Sequence, residues 1–114
     1  MSISFEDVAA DLRRIVISGR LDMPGTDSVA EQLAQLTAES QKAVVVDLSH
    51  LKFLASIGIR ALISSAKDVQ KRGGKMALVV NKGSTVMMSL EATGVDELIP
   101  VCDSFRDAEK AVRA

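Results

Sequence analysis

From Ala43 to Ile63 the chain reads AVVVDLSHLKFLASIGIRALI: an unbroken apolar run, a polar break, then apolar positions at helical spacing. Ala43 to Val46 has the β-branched make-up of a short strand covered on both faces. Asp47 ends that strand and Ser49-His50 lie in the connection. Phe53 and Leu54 are expected to re-enter the core. Ser56 has a side chain suited to capping a helix, whose inward stripe would be Ile59, Leu62, Ile63, Ala66 and Val69.

The same periodicities organise the rest of the chain. Ile3, Phe5 and Val8 alternate with polar neighbours as in a half-buried strand, and Asp11 suits a tight turn. Leu12 to Ser18 reads as a second strand, so the opening is an antiparallel hairpin. Gly19-Arg20-Leu21-Asp22 and Met23-Pro24-Gly25 stop that strand and set up a helix whose apolar face is Val29, Leu33 and Leu36. Ser28 and Glu31 have capping-box spacing, with a start nearer Pro24 as the alternative. Lys71-Arg72-Gly73-Gly74-Lys75 closes the second helix, with cations in its last turn and glycine past its end. Met76 to Val80 follows as a strand. Ser84 can cap a short helix through Val86, Met87 and Leu90 to Gly94. Leu98 to Val101 reads as a brief edge strand, where Pro100 is tolerable. Ser104 to Arg113 is a last helix with Phe105, Ala108 and Val112 inward.

The order β-β-α-β-α-β-α-β-α predicts an α/β fold. Its small, mostly parallel sheet is opened by an antiparallel hairpin and accompanied by about four helices. The 114 residues, without repeat or linker, are expected to form one domain over 1–114.

Composition narrows the function. Aromatic residues are 3 % of the chain, with no Trp or Tyr, so the core must be aliphatic and stacking platforms for single-stranded nucleic acid are missing. A net charge of −1 gives no reason to expect nucleic acid or an anionic membrane as a partner. The single cysteine, Cys102, forms no intramolecular disulfide and reads as a small buried hydrophobe, consistent with a reducing cytosol. No segment approaches the roughly 20 apolar residues of a bilayer span. The first residues, MSISFEDVAAD, lack the pattern of a signal peptide. The expected compartment is the cytoplasm.

Candidate chemistry is sparse. Gly73-Gly74-Lys75 follows a helix and lacks the upstream glycine of a phosphate loop. His50, the only histidine, has no metal-ligand spacing around it and reads as a surface turn residue. Asp47, His50 and Ser56 do not form a hydrolase triad, for want of a nucleophile elbow. No cofactor and no enzymatic activity are expected. Adjacent Met87 and Met88 cannot both face a core from one short helix, so one is exposed and able to serve as an adaptable contact. Ser56 lies where helix-terminal N–H groups and the positive dipole end meet, a place that accepts a phosphate with little strain.

The segment DLSHLKFLASIGIRAL resembles the signature of the STAS domain family, the anti-sigma factor antagonists. In that signature an acidic residue ends a central strand and Phe-Met/Leu-Asp-Ser-Ser/Thr-Gly opens a helix. Gly19-Arg20-Leu21-Asp22, the paired glycines Gly73-Gly74 and the helix ending at Gly94 extend the resemblance over most of the chain. It implies the STAS fold and makes Ser56 the phosphorylation site. Gly58 matches the glycine inside the helix, where a missing side chain leaves room for a partner or nucleotide. Asp22 matches an acid near the same surface. Ala55 stands where the family usually has aspartate, and Ile57 where it has serine or threonine. With Arg60 on the adjacent helix face and Met87 and Met88, these residues make up the expected partner-binding surface.

The resemblance further implies partner switching. The unmodified protein would bind a serine-kinase anti-sigma (switch) factor, phosphorylation at Ser56 would release it, and a PP2C-type phosphatase would reset the switch. The retained Ser56 favours this switch, whereas Ala55 and Ile57 favour the alternative that the resemblance also allows: a non-phosphorylated adaptor subunit of an ABC lipid-transport complex or a stress-signalling scaffold.

Overall fold

In the computed structural model, residues 2–38 and 43–113 are described. The elements run β1 (Ser2–Ala9), β2 (Leu12–Leu21), α1 (Met23–Ala38), β3 (Ala43–Asp47), β4 (Leu51–Leu54), α2 (Ser56–Lys71), β5 (Lys75–Val79), α3 (Thr85–Thr93), a 3-10 turn (Val95–Glu97), β6 (Val101–Cys102) and α4 (Phe105–Arg113). The sheet has the order β1-β2-β3-β5-β6, with β4 paired to β2 off that path. β1 and β2 are antiparallel and the remaining pairings are parallel, which is the architecture expected from the pattern.

The valine run explains how two helical layers share one sheet. Successive strand residues point to opposite faces. Val44 and Val46 join Ile15, Ile17, Met76 and Leu78 in the larger apolar cluster, with Leu33 of α1 and Leu62 of α2. Ala43 and Val45 join Leu12, Ala77 and Val79 in the smaller one, closed by Ala108 and Val112 of α4. Every residue of β3 is buried, Asp47 included.

Several expectations are corrected. Phe5 and Val8 are exposed and not half-buried, because β1 is an edge strand that only Ile3 ties to the larger cluster. Residues 51–54 form a strand of their own, parallel to the end of β2. Phe53 stays out of the core at 39 % exposure, with the Arg20 guanidinium 4.5 Å from its ring centre. α1 begins at Met23, in keeping with the alternative start near Pro24, and Asp22 instead of Ser28 supplies the cap: Oδ1 of Asp22 accepts from the Gly25 amide at 2.9 Å. Ser28 instead donates to the Gly25 carbonyl. The edge strand is only Val101–Cys102, because Val95–Glu97 turns and Ile99 donates back to the Val95 carbonyl. Cys102 is half-buried against the smaller cluster rather than enclosed.

Glycine ends α2 as anticipated. Gly73 takes φ +82°, and the amides of Gly73 and Gly74 donate to the carbonyls of Gln70 and Val69. The last turn of α1 carries no basic residue, and its carbonyls are met from elsewhere: Arg13 donates to Leu36 and Arg72 to Thr37.

Candidate functional site

The corner around Ser56 is set by how β4 runs into α2. β4 lies parallel to β2 with Leu54 opposite Leu21, and the next amide, Ala55, donates to the Leu21 carbonyl at 2.9 Å. The carbonyl of Ala55 then accepts from Ile59 at 3.0 Å, which closes the first turn. Ala55, with φ −91° and ψ 168°, is therefore the residue that caps α2, and its methyl group offers no hydrogen bond. Ser56 is the first helical residue, and it is exposed. This corrects the expectation that Ser56 caps the helix: the cap position falls one residue earlier, so the serine hydroxyl is free of that duty. Among the described residues, the other three helices start with a side-chain acceptor, from Asp22, Ser84 and Ser104.

Gly58 proves to be a packing residue. A Cβ there would lie 2.9 Å from Leu21 Cβ, 2.9 Å from Leu54 Cδ1 and 3.1 Å from the Leu21 carbonyl oxygen. The space left by its missing side chain is taken by the end of β2, not held open for a partner or nucleotide. α2 can sit this close to β2 only because residue 58 is glycine.

Asp22 stands beside this corner, directly after Leu21. Its carboxylate takes the Gly25 amide and is 3.4 Å from Arg20 Nε. The Gly25 hydrogen bond, aided by Arg20 and opposed by desolvation, holds its carboxyl below the usual range. Arg20, Asp22, Lys52, Ser28 and the Pro24-Gly25 turn line an open cleft of about 530 Å³. Arg20, Lys52 and Phe53 are surface residues of the corner that the expected partner-binding surface did not include. The signal available was weak, since Leu51 and Leu54 are the buried pair of β4 and their spacing of three does not mark which side of a strand is outward.

Asp47 fixes the loop leading into β4. It is 3 % exposed. Its Oδ2 meets Arg14 at 2.5 Å and its Oδ1 accepts from the Ser49 amide at 2.9 Å. Burial opposes its ionisation, but the Ser49 hydrogen bonds and Arg14 outweigh that and keep the carboxyl below its ordinary value. Arg14 also lies over the Phe105 ring of α4, at 5.6 Å. His50 is an exposed turn residue, as expected.

The remaining expected residues lie on α2 and α3. Ile57 is half-buried and Arg60 exposed. α3 packs against β4, with Met87 half-buried against the larger cluster and Met88 62 % exposed. Met87 lines a second cleft of about 350 Å³ with Lys82, Val101, Cys102, Asp103 and Asp107, so it belongs to the β5–β6 side of the surface. Asp22, Ala55, Ser56 and Gly58 are thus brought together by the Leu21 contacts, whereas the methionines sit apart on α3. Among the described residues no cluster of His, Cys, Asp or Glu could hold a metal ion, and no helix is long and apolar enough to cross a membrane.

Comparison with known proteins agrees with this geometry. A family model described as STAS domain matches residues 8–108. The anti-sigma-F factor antagonist RsfB of Mycobacterium tuberculosis is 28 % identical over 98 residues, which cover 85 % of this chain and 78 % of the relative. The crystal structure of an anti-sigma factor antagonist from Mycobacterium paratuberculosis superposes with a TM-score of 0.85 at 27 % identity, covering 99 % of this chain and 96 % of that one. The Bacillus cell fate determinant SpoIIAA in its phosphorylated form shares the fold, with a TM-score of 0.69 at 15 % identity over 97 % of this chain and 99 % of the other.

Proposed function

The chain belongs to the STAS domain family, and on that premise we propose that it is an anti-sigma factor antagonist working by phospho-regulated partner switching. As a member of that family it is a regulatory binding protein and not an enzyme. The unmodified corner formed by Asp22, Ala55, Ser56, Ile57 and Arg60, with the exposed Met88 on α3, docks onto an anti-sigma factor of the switch-kinase type. Docking frees whatever that factor sequesters.

The observation that carries the reading is Ser56 itself: exposed, at the first position of a 16-residue helix, uncapped, and without an acid in that helix's first turn. A kinase would transfer the terminal phosphoryl group of ATP to the Ser56 Oγ, forming the new P–O bond and releasing ADP and the hydroxyl proton. The added charge of about −1.5 to −2 suits the helix start, so the fold need not change. The docked interface, in contrast, would have to bury that charge. An unpaired charge at such a contact costs about 2–5 kcal/mol, enough to release the partner. A phosphatase of the PP2C type would restore the binding form. The protein acts in the cytoplasm on this reading.

Intact mass after incubation with the switch kinase and Mg-ATP tests the acceptor. One added phosphate in the parent protein and none in Ser56→Ala is the expected result. No phosphate in either, with partner binding retained, would make the protein a constitutive adaptor.

A further inference from the structure

Residues four apart on a helix are neighbours on one face, with Cβ atoms about 6 Å apart. Arg60 therefore stands one turn on from Ser56, and both are exposed. The residues three and four positions from Arg60 along α2 are Ser56, Ile57, Ile63 and Ser64, none of them charged. Arg13, Arg14, Arg20 and Arg113 each engage a carboxylate, and Arg72 engages the Thr37 carbonyl. Arg60 has no such partner among the described residues. On the segments packed around α2 the charged residues are Arg20 and Asp22 at the end of β2, Lys52 on β4, Lys75 on β5, and Asp27 and Glu31 on α1. Asp22 is already taken by Gly25 and Arg20, and neither carboxylate of α1 forms an ion pair with Arg60.

We propose that Arg60 is the internal counter-ion of phosphorylated Ser56. The inference rests on reading Ser56 as the phospho-acceptor and adds what the phosphate does once attached. Of the two helical neighbours of Arg60 that carry a hydroxyl, Ser56 and Ser64, Ser56 is the proposed phospho-acceptor. A phosphoserine dianion there offers acceptor oxygens to the guanidinium, the pairing that holds phosphates most firmly. One modification then changes the corner twice: it installs a dianion and withdraws a free cation from the docking surface. It also ties the first two turns of α2 together, so the modified protein is more stable than the unmodified one.

The test places phosphoserine at position 56 during translation, with no kinase involved. The second ionisation of the phosphate, near pH 6 for an unperturbed phosphoserine, is followed by ³¹P NMR in the otherwise unaltered protein and in the Arg60→Gln and Arg60→Lys variants. Pairing with Arg60 favours the dianion. The midpoint should therefore lie lower with Arg60 than with glutamine by about half a pH unit, roughly threefold in the equilibrium. Lysine should recover part of that difference. Thermal melts should show a gain on phosphorylation that shrinks in Arg60→Gln. Coincident titration curves for Arg60 and Arg60→Gln would overturn the pairing. A kinase that leaves Ser56 unmodified would overturn the functional reading alone, because the phosphoserine in this titration comes from translation.

Discussion

Gly58 rests directly on Leu21: a Cβ on the glycine would come within 2.9 Å of the leucine Cβ. That contact sets the distance between the second helix and the end of β2, and with it the position of Ser56 beside Asp22. Gly58→Ala gains about 1 kcal/mol of helix propensity and incurs about 1–3 kcal/mol of overpacking against strand atoms that cannot swing away. The expected net is a loss of about 1 kcal/mol, read as a melting point several degrees lower. A variant more stable than the parent would show that the corner has slack.

Ala55, not Ser56, occupies the cap of α2. Ser56→Ala should accordingly leave stability unchanged within about 0.5 kcal/mol. Ala55→Asp should raise it by about 1 kcal/mol by supplying the missing acceptor. Urea denaturation of the two variants distinguishes this assignment from a capping serine, for which Ser56→Ala would cost about 1 kcal/mol.

Asp47 gives the fold an acid-sensitive element. Its carboxyl is held below the ordinary value in the folded state. Its contribution is therefore fully present above the unfolded value of about 3.9 and is lost as pH falls through the folded one. Asp47→Asn should cost about 2 kcal/mol at pH 7, where the Arg14 and Ser49 bonds are made to a charged group. The gap between variant and parent should narrow below about pH 4. Chemical denaturation at pH 7 and pH 3 reads this directly, and an equal gap at both would remove Asp47 from the account.

Phe53 and Arg20 present an aromatic ring under a guanidinium at the rim of the corner proposed for docking. Aromatic and arginine side chains dominate the energetics of protein contacts. Phe53→Ala is expected to weaken anti-sigma factor binding at least about tenfold, while costing the half-exposed site only about 1 kcal/mol of stability. Titration calorimetry alongside a thermal melt separates the two effects.

The parts of this fold that were legible in the sequence are those where one periodicity acts alone. The valine run of β3, buried on both faces, and the stripe from Ile59 to Val69 each carry a single period, and Ser84 capping α3 and glycine ending α2 are local chemistry. What the sequence hid depends on neighbours that are distant in the chain. β1 alternates like a half-buried strand, yet Phe5 and Val8 are exposed because no layer covers the sheet edge. β4 is too short for a period, and its pairing with β2 decides that it is a strand. Ser56 drew the cap assignment because serine favours that position, whereas the Leu21 carbonyl that binds the Ala55 amide fixes the boundary one residue earlier. Gly58 could be recognised as special from the sequence, but only the contact with Leu21 shows that its space is used inside the protein.

The measurement that bears most directly on the central claim is the affinity of the anti-sigma factor for this protein with and without phosphate on Ser56, taken at one ionic strength. Phosphorylation should weaken binding by at least about thirtyfold, in line with a cost of about 2 kcal/mol or more for burying an unpaired charge at a docked face. Equal affinity for the two forms would contradict the switch, and would leave the Ser56 corner as a contact surface that phosphate does not control.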